Sequence, residues 1–586
     1  MGSLLTPATR YGRDKKSMKI LGISCYYHDA AAALIDDGVA IAAAAEERLS
    51  RIKHDSSFPK KSINFCLEKA KIKADDLDYV VFYEKPFLKF ERITLTSLAT
   101  APGARGMFVD AYKSWLKSKL WIKSQIASEL KIPPTKILFS QHHVSHAAAA
   151  FYTSPFKTAA LLTIDGVGEW TTTAWGNGEA NKITLNNEIR FPHSIGLFYS
   201  AITQFLGFQI NEGEFKVMGL SPYGKPKYVN KLRQLINQSA DGSFKLNLKY
   251  FNYLYSDKVA YSRALVDLLG MEPLDPKKSD QVIGKYADVA ASAQAVLDES
   301  LLKIAKHVQN VTNEDNLCYS GGVALNGVAN WKILKSAGFK NIFIHPAAGD
   351  DGAALGGALY VYHHILGNKK RHSLKTAYLG AQNSQSDIKN FLTKNKIKAQ
   401  LHSDKELVEA VATLLFNKAV VGWCRGRFEW GPRALGARSI LADPRSIKMK
   451  DLVNSKIKFR EAFRPFAPVT LYEEGSKYFD TKGAQDQQLL QYMLAVVPVQ
   501  QKYKSKLGAI THVDGTARPQ FIKREINPLY YDVIKSFGKK SGINVLLNTS
   551  FNLKGEPIVN TCEDAHKTFM NSGIDALVLG NCLIRK

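Results

Sequence analysis

Short apolar runs broken by glycine- and aspartate-bearing turns dominate the N-terminal part of the chain. Lys19 to Ser24 (KILGIS), Ala30 to Asp37 (AAAALIDD) and Val39 to Glu47 (VAIAAAAEE) are predicted strands, with Asp37-Gly38 as a hairpin turn. The outline recurs at Leu161 to Gly166 (LLTIDG), Thr171 to Gly176 (TTTAWG) and Lys182 to Asn187 (KITLNN), which predicts an internal duplication. Val289, Ala293, Leu297 and Leu301 share one face of a long predicted helix. The apolar Leu317 to Tyr319 leads to Gly321 and Gly322 and a helix predicted from Ala324, and the segment Gly349 to Leu359 (GDDGAALGGAL) repeats the device. Glycines there let backbone approach a ligand, and a helix N-terminus offers free amides to phosphate.

These elements predict a two-lobed α/β fold, actin-like or ribonuclease-H-like, that binds a nucleotide where the turns after the first strand of each lobe face one another. A polar, basic stretch at Gly367 to Ser373 reads as a linker. A second, smaller α/β domain resumes near Tyr378, with a helix over Lys405 to Leu415 and a strand over Ala419 to Cys424. Next come Arg425, Arg427, Arg433, Arg438, Arg445, Lys458, Arg460 and Arg464, within about forty residues. Guanidinium forks match phosphate and carboxylate oxygens, so this domain is expected to bind a phosphorylated anion, although any single arginine can be structural.

Composition narrows the classes. A chain of 586 residues exceeds one ordinary core, so two or more domains are expected. Six cysteines without CxxC spacing argue for a reducing compartment and against a disulfide framework or a zinc ribbon. No apolar span reaches 18 residues and no signal peptide is evident, so a cytoplasmic protein with no membrane partner is expected. The net charge of +26 comes from dispersed lysines rather than one stripe, which disfavours nucleic acid and favours small anions. The first 17 residues, polar and without periodicity, read as a flexible tail or an added extension.

The run QHHVSH (Gln141 to His146) is the leading chemical signal. On a helix, His142 and His146 lie on one face and can converge on a divalent ion. Asp165, at the end of a predicted strand, and Asp350 or Asp351, after the strand Asn341 to Ile344, are the candidate partners. Two imidazoles and two carboxylates suit Fe(II), Mn(II) or zinc.

The series HDAAAALI, EERLSRIKHDSSFP, QHHVSHAAAAFY, TIDGVGEW, NEGEFKVMGLSPYG, SGGVALNGVAN, GDDGAALGGAL, GRFEWGPRALGARSIL, FREAFRPFAP and LLNTSFN resembles the NodU/TobZ-type O-carbamoyltransferases, from Met18 to the C-terminus. The resemblance implies a TsaD-like carbamoyl-transfer domain over 18–366, a linker over 367–376 and a YrdC-like domain over 377–586. The second would form carbamoyl adenylate from carbamoyl phosphate and ATP, supplied as Mg-ATP, and the first would transfer its carbamoyl group to a hydroxyl of a small-molecule natural product. The resemblance further implies an iron site, Fe(II) or another divalent metal, at His142, His146, Asp165 and Asp350, with Asp350 preferred to Asp351. His28 is implied at the transferring group, and its ordinary pKa suits a general base. Arg433, Lys458, Arg464, Arg518, Asn548 and Ser550 are implied to bind carbamoyl phosphate and ATP. Lys216, Gly321, Gly322 and Asn326 are further candidates for binding the nucleotide cofactor, and a homodimer is a candidate assembly.

Two other readings compete: a tRNA threonylcarbamoyladenosine-type enzyme, and a non-enzymatic actin-like ATP-binding regulator. The acceptor is not named by any motif. Phe87 to Leu120 and Lys225 to Pro276, long and weakly patterned, are the segments expected to shape its pocket or cover the core.

Overall fold

The computed structural model describes residues 17–117, 119–281 and 284–586. The tail expected at 1–17 lies outside them, Ser17 apart. The first unit carries two five-stranded sheets. One has the order β3-β2-β1-β4-β5, built from β1 (Lys19–Ser24), β2 (Ala31–Asp36), β3 (Val39–Ala45), β4 (Tyr79–Phe82) and β5 (Ile137–Phe139). In the other, β8 (Lys182–Arg190), β7 (Thr171–Glu179) and β6 (Thr158–Ile164) are followed by strands Asn316–Ser320 and Asn341–Ile344.

Strand order and direction are the same in both sheets. The first three strands run antiparallel, and the fourth and fifth lie parallel beyond the first. That is the expected duplication, and it makes the unit a two-lobed ribonuclease-H-like, actin-like fold. β1 and β6 sit central in their sheets with Ile20, Leu21, Ile23, Leu161, Leu162 and Ile164 buried, which is why they read as unbroken apolar runs.

Two boundaries differ from the sequence reading. β3 stops at Ala45, and Glu46 begins a short helix, because the buried Glu46 carboxylate accepts the Lys61 and Ser62 amides at the start of helix Lys60–Ala70. The helix expected from Ala324 starts at Gly327, since Asn326 is its N-cap and accepts from the Ala329 amide at 3.1 Å. Helix Lys285–Thr312 buries Val289, Ala293, Leu297 and Leu301 as its periodicity requires.

The stretch 367–376 runs along the first unit. Leu374 donates its amide to Thr153 O at 2.8 Å, and the Arg371 guanidinium lies 3.9 Å over the Phe151 ring. The second unit is built on an eight-stranded mixed sheet in which Val421–Cys424, Arg438–Ala442, Val545–Ser550 and Ala467–Leu471 are consecutive neighbours. The units share one apolar cluster, reaching from Phe198 and Leu301 to Phe463 and Leu494. All six cysteines are free and buried. Among the described residues no helix is long and apolar enough to cross a membrane.

Candidate active site

Asp165 directly follows β6, His142 opens helix His142–Thr153, and Asp350 opens helix Asp350–Tyr360. The two helices meet closely at Gly356, where a Cβ would stand 1.8 Å from Ser145 O, so only glycine allows this approach. The result is a cluster of His142, His146, Asp165 and Asp350 whose ligating atoms lie within 4.8 Å of one another. Asp165 Oδ2 is 3.1 Å from His142 Nε2 and 3.0 Å from His146 Nε2, and the two Nε2 atoms are 3.2 Å apart. Asp350 Oδ1 stands 3.4 Å from His146 Nε2 and 3.6 Å from His142 Nε2.

Asp350, and not Asp351, belongs to this cluster. Both Asp350 oxygens are buried without a hydrogen bond, so a divalent ion would satisfy what the protein leaves open. Burial opposes charge on His146, but the hydrogen bond to Asp165 and the nearby charges of Asp165 and Asp350 prevail and raise it to about 9. The same imidazoles outweigh burial at Asp165 and hold it well below the usual carboxylate range. His143 faces away, with Nδ1 2.7 Å from the Thr163 hydroxyl.

His28 lies on the rim, with Nε2 4.0 Å from Asp350 Oδ2. Its Nδ1 is 3.1 Å from Asp29 Oδ2, and the other Asp29 oxygen is 2.9 Å from His54 Nδ1. Burial would lower His28, but the Asp29 hydrogen bond and the charges of Asp350, Asp29 and Asp165 carry it up to about 10, so the ordinary imidazole value expected from the sequence does not hold among these carboxylates. Asp29 and His54 were not singled out by sequence reasoning, although they stand in HDAAAALI and EERLSRIKHDSSFP. Glu169, which accepts the His142 amide at 3.0 Å, was likewise missed within TIDGVGEW, and Glu84 lies in no motif at all.

A second cluster lies in the second unit. Asn454–Lys458 is a π-helical turn, a local irregularity that often marks function, and it ends on Lys458. Lys458 Nζ donates to Ser550 O at 3.0 Å and to Asn552 Oδ1 at 2.6 Å. Burial, then the charges of Arg460 and Arg464, push Lys458 well down, and burial and Arg518 do the same to Arg433. An anion would relieve buried cations that depress one another. Arg433 Nε, Arg518 Nε and Asn548 Oδ1 are buried without partners.

The arginine-rich stretch therefore divides. Arg427 donates to Gly380 O and Ile41 O, Arg438 to Gly426 O, Arg425 pairs with Asp404, and Arg445 pairs with Asp443. Those four brace the backbone or neighbouring carboxylates; Arg433, Lys458, Arg460 and Arg464 stand around the second cluster, where Arg460 donates Nε to Asn454 Oδ1 at 2.9 Å and Arg464 pairs with Glu461.

The clusters are joined by the loop 321–326. Gly321, at φ +97°, is held where a Cβ would meet Ile164 O at 2.2 Å, and a Cβ on Gly322 would stand 3.0 Å from Asp165 Oδ1. At the other end of the loop Leu325 O accepts from Arg433 Nη2 at 3.5 Å. Asn326 also bonds Gln294, and Lys216 reaches across to Glu461 in the second unit, Nζ to Oε1 at 3.0 Å.

Residues 19–359 match the family model described as carbamoyltransferase N-terminus, and residues 412–586 match carbamoyltransferase C-terminus. The chain belongs to the carbamoyltransferase family. The histidine–aspartate cluster falls in the first matched segment and the cation cluster in the second. An uncharacterised protein of Synechocystis sp. is 44% identical, over 97% of this chain and 96% of its own. The nodulation protein NolNO of Sinorhizobium fredii is 35% identical, over 96% of this chain and 79% of its own. The 3'-hydroxymethylcephem-O-carbamoyltransferase of Amycolatopsis lactamdurans is 33% identical, over 49% of this chain and 53% of its own.

Proposed function

We propose that this carbamoyltransferase makes carbamoyl adenylate from carbamoyl phosphate and ATP in its second unit and transfers the carbamoyl group to a small-molecule hydroxyl in its first. The observation that carries the reading is the loop 321–326, which passes beside Asp165 of one cluster at Gly322 and accepts from Arg433 of the other at Leu325 O. Two sites on one short loop suit a labile intermediate that must move without meeting water. The names of the cephem relatives support oxygen as the acceptor atom.

In the first reaction carbamoyl phosphate is cleaved by water to carbamate and phosphate. The carbamate oxygen then attacks the α-phosphorus of ATP, and pyrophosphate leaves with the electron pair. Arg433, Lys458, Arg464 and Arg518 offset the anionic charge that otherwise keeps carbamate from the α-phosphate. Asn548 and Ser550 orient the bound anion. In the second reaction the acceptor oxygen bonds to the carbamoyl carbon, the carbon–oxygen bond to the adenylate breaks, and AMP departs.

His28 is the base assigned to the acceptor proton. Asp29 fixes its Nδ1–H and turns Nε2 toward Asp350; the charges of Asp350 and Asp165 favour the protonated ring, and a cation held between those carboxylates would offset that charge and free Nε2 as the base. A divalent ion, Fe(II) in our reading, would be held by His142, His146, Asp165 and Asp350 and would supply charge stabilisation to a phosphate oxygen.

The test is carbamoyl-phosphate-dependent release of pyrophosphate from ATP, followed by mass spectrometry of a hydroxylated natural-product panel for addition of one carbamoyl group. Absence of pyrophosphate release overturns the reading.

A further inference from the structure

Beside the histidine–aspartate cluster lies a cavity of about 180 Å³, walled among the described residues by Tyr27, Glu84, Lys89, Arg92, Trp115 and Lys119 with others. Two wall residues lie against the cluster and its rim. The Tyr27 ring is 4.7 Å from the His28 ring, and Glu84 Oε2 is 3.9 Å from His142 Nδ1. A molecule filling this space has one edge against the groups assigned to transfer.

The helix Pro86–Ala99 lines the cavity with inverted polarity. Its Lys89 and Arg92 are buried, whereas Phe87 is 70% and Leu98 65% exposed. Buried cations are costly unless something pairs with them. Lys89 Nζ is paired with Glu84 Oε2 at 2.6 Å. Arg92 is not paired: only 8% exposed, it packs 5.0 Å over the Phe191 ring, its Nη1 is buried without a hydrogen bond, and no described carboxylate lies within ion-pair distance. Lys119 sits 5.6 Å over the Trp115 ring, again with no ion pair among the described residues. The cavity thus holds three cations against one carboxylate, between flat aromatic walls.

We infer that this cavity is the acceptor pocket and that the acceptor is a small hydroxylated molecule bearing a carboxylate, held by Arg92 and Lys119 while its hydroxyl reaches past Tyr27 toward His28. The inference rests on the O-carbamoyl-transfer reading above. A guanidinium fork is matched to a carboxylate, and Tyr27 and Trp115 supply apolar faces for the body of the molecule. The carboxylate stays outside the chemistry: the hydroxyl oxygen gains the carbamoyl carbon, AMP leaves, and the proton passes to His28.

The test uses the full-length, metal-loaded enzyme and three probes that share a hydroxymethylphenyl body and carry an anionic, a neutral or a cationic para group: para-(hydroxymethyl)benzoate, its neutral amide, and para-(hydroxymethyl)benzylamine. Calorimetry is expected to find the benzoate bound at least about ten-fold more tightly than the amide, with the amine weakest. Arg92→Met, which removes an unpaired buried charge and should fold, is expected to abolish the preference, and Lys119→Met to reduce it. Equal binding of the three probes, or no binding of the benzoate, overturns the inference. Acceptor-free pyrophosphate release is measured on the same preparation. If it is absent while the carboxylate preference stands, the transfer reading fails and the acceptor assignment with it; if it is present without the preference, the anionic character of the pocket fails.

Discussion

Lys216 Nζ and Glu461 Oε1 lie 3.0 Å apart across the boundary between the two units, and the second Glu461 oxygen is 3.4 Å from Arg464 Nη1. Glu461 is thus the carboxylate that lets cations from both units crowd one place. Burial would raise its pKa, but Lys216 and then Arg464 prevail and push it down to about 2.

Glu461→Gln leaves those cations uncompensated. It is expected to cost about 3–5 kcal/mol, the usual penalty for breaking a buried pair. Calorimetric melting checks this, and inorganic pyrophosphate should raise Tm more in the variant than in the parent. Because the folded pKa is depressed, the parent's advantage is full above the ordinary glutamate range and fades as pH falls toward about 2.

Metal binding at the histidine cluster must displace the proton that the two aspartates hold on His146 up to about pH 9. Apparent affinity for Fe(II) or Mn(II) should therefore climb between neutral pH and about 9, with proton release visible as a buffer-dependent binding enthalpy. A flat profile contradicts the assignment.

Gly321→Ala forces a side chain into a left-handed conformation 2.2 Å from Ile164 O, and is expected to lower stability by at least about 1–3 kcal/mol. Gly322→Ala meets only the Asp165 carboxylate, at 3.0 Å. It should fold and lose about ten-fold in metal affinity. Melting curves and metal content separate the two effects.

His28 is oriented by Asp29, which His54 holds from the far side. Asp29→Asn is expected to lower kcat for transfer from supplied carbamoyl adenylate by about 10- to 100-fold. Acceptor KM should stay near the parent's, with the pH profile displaced. His28→Ala should cost about 10²- to 10⁴-fold.

Much of this arrangement is legible in the sequence because its ligands stand at element ends. His142 and His146 are one turn apart, and Asp165 and Asp350 follow the apolar strands that place them. The duplication shows because β1 and β6 are buried on both faces and read as plain apolar runs. The inverted helix Pro86–Ala99 defeats the same logic: turning Lys89 and Arg92 inward and Phe87 outward erases the expected periodicity. Composition also cannot separate Arg433 from Arg438. The latter donates to Gly426 O at 2.9 Å, and only tertiary contacts reveal which guanidinium has spent its donors on backbone.

The most direct test of two linked but separate chemistries is to measure each half-reaction in Arg433→Ala and in Asp165→Asn. Arg433→Ala should lose pyrophosphate release from ATP and carbamoyl phosphate, yet still carbamoylate the acceptor from supplied carbamoyl adenylate. Asp165→Asn should keep pyrophosphate release and lose that transfer. If each substitution abolishes both half-reactions, or Arg433→Ala abolishes only transfer, the division of labour between the two clusters is wrong.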